Sequence, residues 1–88
     1  MFDMYRGEES MVTLRASNII ADAVVDVCGH SILMVPFDKE SFTATVLVEV
    51  SPTFFAWLTN FGNKIEITNP PQVREQFKEH IKEIAALY

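Results

Sequence analysis

Hydrophobic residues change their spacing several times along the chain, and each change predicts a new element. From Met11 to Ala16 the residues alternate between an apolar face, Val12, Leu14 and Ala16, and a mixed face, Met11, Thr13 and Arg15, which is typical of a strand. After Ser17 the spacing becomes that of one helical face, so we expect a helix that Ser17 caps and Gly29 ends. The apolar positions of this helix are Ile20, Ala23, Val24, Val27 and Cys28.

The next two segments predict a β-hairpin. Residues Ser31 to Phe37 are apolar on both faces, and Pro36, which has no backbone N–H, places the end of this strand at a sheet edge. A polar turn over Asp38 to Ser41 leads into a longer strand, Phe42 to Val50. Its inward face would consist of Phe42, Ala44, Val46, Val48 and Val50.

A second helix and a fourth strand follow directly, with short connections. Ser51 can cap the helix, Pro52 suits its first position, and Gly62 supplies a left-handed end. The predicted buried face is Phe54, Trp57, Leu58 and Phe61. Phe55 lies about 100° around the helix from Phe54, so we expect it to project from the core. Alternation over residues 65–68 then predicts a short strand with Ile65 and Ile67 inward.

The last segment, from Pro71 to Tyr88, predicts an amphipathic helix docked on the domain. Its apolar stripe is Val73, Phe77, Ile81, Ile84 and Tyr88. The element order is that of an α+β, ferredoxin-like split βαβ (βαββαβ) fold with an additional C-terminal helix. Right-handed crossovers predict an antiparallel sheet ordered 4-1-3-2 with both crossover helices on one face.

Composition limits the chain to one domain and narrows its partners. With 88 residues and 49% hydrophobic content, we expect one core over residues 11–88, preceded by a connector over residues 1–10. A net charge of -5 argues against nucleic acid as the sole partner. A single cysteine fits a reducing compartment, so a cytoplasmic protein without a membrane segment is expected.

Arg15 is the most distinctive polar residue, because it stands on a predicted central strand and faces away from the helices. A guanidinium offers a planar fork of donors that suits a carboxylate or a phosphate. The alternative is a cross-strand ion pair with Glu66 or Glu49, which should lie on the same face.

The rest of that outer face is too apolar for plain solvent and too polar for a core. We therefore predict that a ligand or partner covers it. Besides Arg15, its predicted members are Thr13, Ile32, Met34, Thr43, Thr45 and Leu47.

No catalytic residue, metal site or cofactor is predicted. His30 and His80 have no partners at a recognised metal spacing and are expected to be solvated. Cys28 falls on an apolar helix face, where a packed thiol is the simpler interpretation. Asp22 and Asp26 are four residues apart but have no further polar partners, so they predict a solvated face.

Several segments together resemble the C-terminal end of bacterial WYL-domain transcriptional regulators. They are FDMYRGEESMVTLR, VVDVCGH, VEVSPTFFAWLTNFGNKIEITNPPQVR and the terminal tyrosine. The similar region is the extension known as WCX, which follows the WYL domain and has a ferredoxin-like fold. The resemblance implies a non-enzymatic regulatory module that takes part in effector binding, for which a nucleotide or nucleic acid is a candidate, and in dimerisation.

The resemblance also has limits at particular positions. The chain shows no helix-turn-helix and no WYL domain, so no promoter DNA binding by this chain alone is expected. Its implied partner is the WYL domain of its own or a partner protomer, within a homo-oligomer. Arg15 matches a position at which family members often carry arginine, whereas Val27 and Cys28 replace the usual basic and aromatic residues.

Two other function classes remain open from the sequence. A stand-alone ferredoxin-like domain could bind RNA or a small molecule, although RNA binding favours outward aromatic residues where the chain has Thr13, Thr43 and Thr45. An acylphosphatase-like hydrolase would need an anion cradle at the first helix, and the residues after Arg15 offer no glycine-rich loop. We rank the hydrolase last.

Overall fold

Four strands and three α-helices follow one another in the predicted order. The structure is a computed structural model that describes residues 9–28 and 33–88, without the side chains of residues 27 and 28. Short 3-10 helices precede the first α-helix and the last strand. The elements are β1 (Glu9–Ser17), α1 (Ala21–Cys28), β2 (Leu33–Pro36), β3 (Ser41–Glu49), α2 (Pro52–Thr59), β4 (Ile65–Asn69) and α3 (Pro71–Ala85).

Some of the sequence predictions fall outside the described residues. These are the connector before Glu9, the helix end at Gly29, and the positions of His30 and Ile32. The packing of the Cys28 side chain also lies outside them.

The four strands form one antiparallel sheet in the order β2-β3-β1-β4. β1 is central and pairs with β3 on one side, where Val12 lies opposite Val46, and with β4 on the other, where Leu14 lies opposite Ile67. β2 and β4 are the two edges, and Pro36 ends β2 as predicted. This arrangement confirms the ferredoxin-like split βαβ fold with an additional C-terminal helix.

Local signals in the sequence set the ends of the helices. The Ser51 side chain accepts a hydrogen bond from the backbone N–H of Phe54 at 3.3 Å, and Pro52 occupies the first turn of α2. Gly62 has φ +58°, a left-handed conformation that favours glycine. The predicted helix end at Gly62 is nevertheless wrong, because α2 ends at Thr59 and Gly62 begins the 3-10 helix before β4. The Ser17 side chain accepts from the Ile19 N–H, although the first turn after it is 3-10 rather than α-helical.

One hydrophobic core lies between the sheet and the helices. The inner face of the sheet packs against side chains from all three helices and from the 3-10 turn before α1. Its buried members are Val12, Leu14, Ala16, Ile20, Val24, Phe42, Ala44, Val46, Phe54, Phe55, Leu58, Ile65, Ile67 and Val73. The predicted inward faces of β1, β3 and β4 are confirmed.

The prediction for Phe55 is wrong. Its side chain is only 7% exposed, and its ring lies 5.9 Å from that of Phe54 and 5.3 Å from that of Phe77 on α3. The ring of His80, predicted to be solvated, is half-buried 5.2 Å from Phe55. α2 therefore buries two sides, one against the sheet and one against α3.

α3 is docked along its first half only. Val73 is buried and Phe77 is half-buried, but Ile81 is 45% exposed and Tyr88 is fully exposed. The prediction of a docked stripe along the whole helix is thus wrong for its second half. The core that Val73 and Phe77 contact does not extend under the last turns of α3, so the apolar side chains there stay exposed.

Candidate functional site

The outer face of the sheet carries none of the described helices. The core unites the three helices with the inner face alone, so the side chains that alternate with the buried ones point away from them. Met11 on β1, Leu33 and Val35 on β2, and Leu47 on β3 are all exposed there. We call this surface, together with Thr13, Arg15, Phe37, Thr43, Thr45 and Glu66, the outer sheet face.

The register corrects one predicted member of this face. Met34 lies opposite Ala44, which is fully buried, and opposite residues of an antiparallel pair point to the same side. Met34 therefore packs against the core, as the contacts of its side chain show. Leu33 and Val35, which the sequence analysis missed, take its place because they lie opposite Thr45 and Thr43.

Three threonines run across the middle of the outer sheet face, where the sequence predicted them. The hydroxyls of Thr13 and Thr45 lie 3.3 Å apart, and the Thr43 hydroxyl donates to the Val35 carbonyl at 3.4 Å. These hydroxyls therefore bond within the sheet, so the surface between Leu33, Val35 and Leu47 can accept an apolar partner with little loss of hydration.

Arg15 lies at one end of this face between two carboxylates. Its guanidinium is 3.6 Å from Glu66 Oε1 and 3.8 Å from Asp38 Oδ2, and it lies 4.2 Å above the centre of the Phe37 ring. The cross-strand pair with Glu66 is thus confirmed. The alternative pair with Glu49 is wrong, because Glu49 lies opposite Glu9 at the far end of β1.

Asp38 has a second set of partners in the hairpin turn. Its Oδ1 accepts from the backbone N–H of Glu40 and from the hydroxyl of Ser41, both at 2.8 Å. These donors, led by the Glu40 N–H, hold the pKa of the Asp38 carboxyl below its ordinary value, and the charge of Arg15 contributes less. The turn stays fixed, and Asp38 stays charged beside Arg15.

An open cleft of about 560 Å³ lies beside Arg15, between the β2–β3 turn and the start of β4. Its lining is mixed in charge, with Arg15 and Lys64 against Asp38, Glu40 and Glu66. An anion that bound Arg15 there would have to displace Asp38 and Glu66. Both carboxylates are exposed, so their ion pairs with Arg15 are weak. The cleft supplies hydrogen bonds and charge for a polar ligand.

The structure brings Arg15, Thr13, Thr43, Thr45 and Leu47 together on one surface, as the sequence predicted. Phe37 and Asp38 were missed. The signal for Asp38 was present in the segment DKES, since an aspartate that opens a turn commonly bonds the backbone N–H two residues on.

Other candidate chemistry is sparse within residues 9–28 and 33–88. Asp22 and Asp26 are exposed, as predicted. No group of three histidine, cysteine, aspartate or glutamate side chains is placed to hold a metal ion in that part of the chain. None of its helices has the length and apolar character needed to cross a membrane.

Comparison with known proteins gives one match. The family model described as "WCX domain" matches residues 10–85, from the second residue of β1 to the last residue of α3. No curated protein and no solved structure matches the chain.

Proposed function

The chain belongs to the WCX domain family, and on that premise we propose that it is the effector-binding or dimerisation module of a WYL-type bacterial transcriptional regulator. Family membership links it to such regulators. The proposed role is non-enzymatic and is carried out in the cytoplasm.

The outer sheet face, which none of the described helices covers, is the observation that carries this proposal. Leu47 is 60% exposed and Leu33 is 64% exposed, and they lie among threonines whose hydroxyls bond within the sheet. A contiguous surface of this kind is typical of a protein contact. The proposed occupant is a WYL domain of the same or a partner protomer, within a homo-oligomer.

The surroundings of Arg15 support the proposed effector binding. It lies at the border of this face, with a planar guanidinium stacked on Phe37 and two exposed carboxylates as its partners. A phosphate group, as in a nucleotide or nucleic acid, presents the same kind of acceptor as those carboxylates and could replace them. Effector binding would then change the charge at the edge of the protein contact.

The alternative of a stand-alone RNA-binding domain has less support. Stacking of bases on a sheet requires aromatic side chains, and the two central strands present Thr13, Thr43 and Thr45 outward. The net charge of -5 also opposes a phosphate backbone.

Substitution of Leu47 by lysine tests the protein contact. We expect Leu47→Lys to reduce self-association, or binding to a separately expressed WYL domain, while the melting temperature stays within a few degrees. Leu87→Lys is a matched control, because Leu87 is 79% exposed at the end of α3 and lies outside the outer sheet face. Sedimentation equilibrium and titration calorimetry measure the two kinds of association.

Two results would refute the proposed contact. One is a protein that stays monomeric at high concentration and also does not bind the WYL domain. The other is equal weakening by Leu47→Lys and Leu87→Lys, which would indicate a nonspecific effect of added charge.

A further inference from the structure

A second surface, on the opposite edge of the sheet from β2, has a different character. It is a groove of about 370 Å³ between β4 and the middle of α3. Its lining residues are Gly62, Ile65, Glu66, Ile67, Arg74, Phe77, Lys78, Ile81 and Lys82. It shares only Glu66 with the outer sheet face, and its occupation does not depend on the function proposed above.

The floor of the groove is apolar. Ile65 and Ile67 of β4 form one side, and Phe77 and Ile81 of α3 form the other. Ile65 and Ile67 are buried, whereas exposure increases along α3 from buried Val73 to Ile81, so the apolar surface open to an occupant is mainly that of α3. The floor can therefore receive apolar side chains from outside.

β4 presents its unpaired edge to this groove. Among the described strands it pairs only with β1, and the Arg74 Nη1 donates to the Ile67 carbonyl at 2.9 Å. That carbonyl therefore points away from β1. In an antiparallel strand every second residue directs its N–H and C=O to the same side, so the backbone groups of Ile65 face the groove as well.

The rim of the groove is basic although the protein is acidic. Three cations, Arg74, Lys78 and Lys82, line it against one carboxylate, Glu66, in a chain of net charge -5. Arg74 lies 3.4 Å from Glu66 and Lys82 lies 3.4 Å from Glu79. Both ion pairs are exposed and therefore weak, so an acidic ligand can replace the carboxylate in each. The local charge selects an acidic occupant.

We propose that this groove binds an extended acidic peptide segment, which adds a strand to the free edge of β4. The segment would bond to the backbone of Ile65 and, after Arg74 moves aside, to that of Ile67. Its apolar side chains would contact Phe77 and Ile81. Its acidic side chains would pair with Lys78, Lys82 and the released Arg74.

This mode is strand addition, in which backbone hydrogen bonds give affinity and alternate side chains give specificity. A second copy of the same groove is disfavoured as the occupant. A two-fold contact would bring the same three cations of each copy face to face, and like charges in an interface are repulsive.

A short peptide of alternating glutamate and valine, labelled with a fluorophore, is a direct probe for this groove. We expect saturable binding by fluorescence anisotropy, and Ile81→Glu should weaken it about tenfold or more. Lys78→Glu should also weaken it and should reduce its dependence on salt. Lys39→Glu is the matched control, since it makes the same charge change in the exposed β2–β3 turn and should leave affinity nearly unchanged.

Two further peptides separate the backbone from the side chains. Methylation of alternate backbone nitrogens removes the donors needed for strand pairing and should abolish most of the binding. Replacement of glutamate by lysine should abolish it as well. Ile81 and Lys78 are exposed, so we expect their variants to fold, and melting curves test this.

The proposal is overturned by any of three results. The first is no saturable binding of the glutamate–valine peptide by the wild-type protein. The second is equal binding of the N-methylated peptide, which would make strand addition wrong. The third is equal weakening by Lys78→Glu and Lys39→Glu, which would assign the effect to net charge rather than to the groove.

Discussion

Replacement of Phe55 by alanine tests how α2 and α3 are held together. Phe55 is 7% exposed and its ring contacts those of Phe54, Phe77 and His80, so its removal would leave a cavity at the junction of the two helices. Loss of a buried phenylalanine costs about 3 to 5 kcal/mol. A domain of 88 residues has on the order of 4 to 13 kcal/mol in total, so Phe55→Ala should lose much of it.

Phe37→Ala is the matched control, because it removes the same side chain from an exposed position. Phe37 is 56% exposed and contacts Arg15, so we expect a loss of about 1 to 2 kcal/mol from partial burial and the cation–π contact. Thermal unfolding followed by circular dichroism, at a concentration at which the protein is monomeric, compares the two. Phe55→Ala should lower the melting temperature by about 12 °C or more.

A double-mutant cycle with Phe77→Ala then isolates the contact between the helices. The two rings are 5.3 Å apart, and aromatic pairs contribute about 0.5 to 1.5 kcal/mol beyond their buried area. Strictly additive effects of the two substitutions would show that the rings do not contact each other. Equal losses for Phe55→Ala and Phe37→Ala would show that α3 does not cover α2.

Two further predictions concern polar groups at the ends of elements. Ser51→Ala should lower the free energy of unfolding by about 1 kcal/mol, since Ser51 is buried and caps α2, whereas Ser51→Asp should retain most of that stability. Chemical denaturation measures both variants, and equal losses would exclude capping as the cause. Asp38→Ala should lower the melting temperature at neutral pH, because the folded pKa of Asp38 is depressed and its carboxylate stabilises the fold above about pH 4. As pH falls through the folded pKa that stabilisation is lost, so the difference from wild type should shrink; a difference that stays constant down to strongly acid pH would contradict this assignment.

The sequence predicted the elements and their order because each depends on local signals, and the sheet topology followed from that order and the right-handed crossover rule. Ser51 and Pro52 mark the start of α2 through a hydrogen bond and a backbone conformation that involve near neighbours only. In β1 and β3 one face is wholly apolar and the other carries most of the polar residues, so the phase of the alternation was unambiguous.

β2 shows why the phase of a strand can fail. Residues 32–35 are all apolar, so nothing in the sequence distinguishes the inner from the outer face. Pairing with β3 determines which residues of β2 face outward. Leu33 and Val35 lie opposite the outward-facing Thr45 and Thr43, so they point to the outer face. The sequence prediction was shifted by one residue in this strand. That shift exchanged the two faces of β2 and placed Met34 on the outer face.

The position of Phe55 depends on tertiary contacts that no local pattern records. α2 carries phenylalanines at 54 and 55, about 100° apart, and one sheet can cover only one of them. Burial of the second depends on its contacts with Phe77 and His80 of α3. The apolar stripe on α3 predicts a docked face but does not indicate which element it packs against. The same gap explains the overestimate of how far α3 stays in contact with the core.

β1, the first of the described strands, lies in the centre of the finished sheet, and its pairing is complete only after β4 has been synthesised. The Thr68 hydroxyl of β4 donates to the Thr13 carbonyl of β1 across 55 residues of sequence. At about 5 to 20 residues per second, a ribosome needs roughly 3 to 11 s to synthesise that interval. During this time one edge of β1 has no partner, and an unpaired strand edge is a template for another chain. A nascent chain that stalls before β4 should therefore associate through the strand that the complete domain hides in its middle.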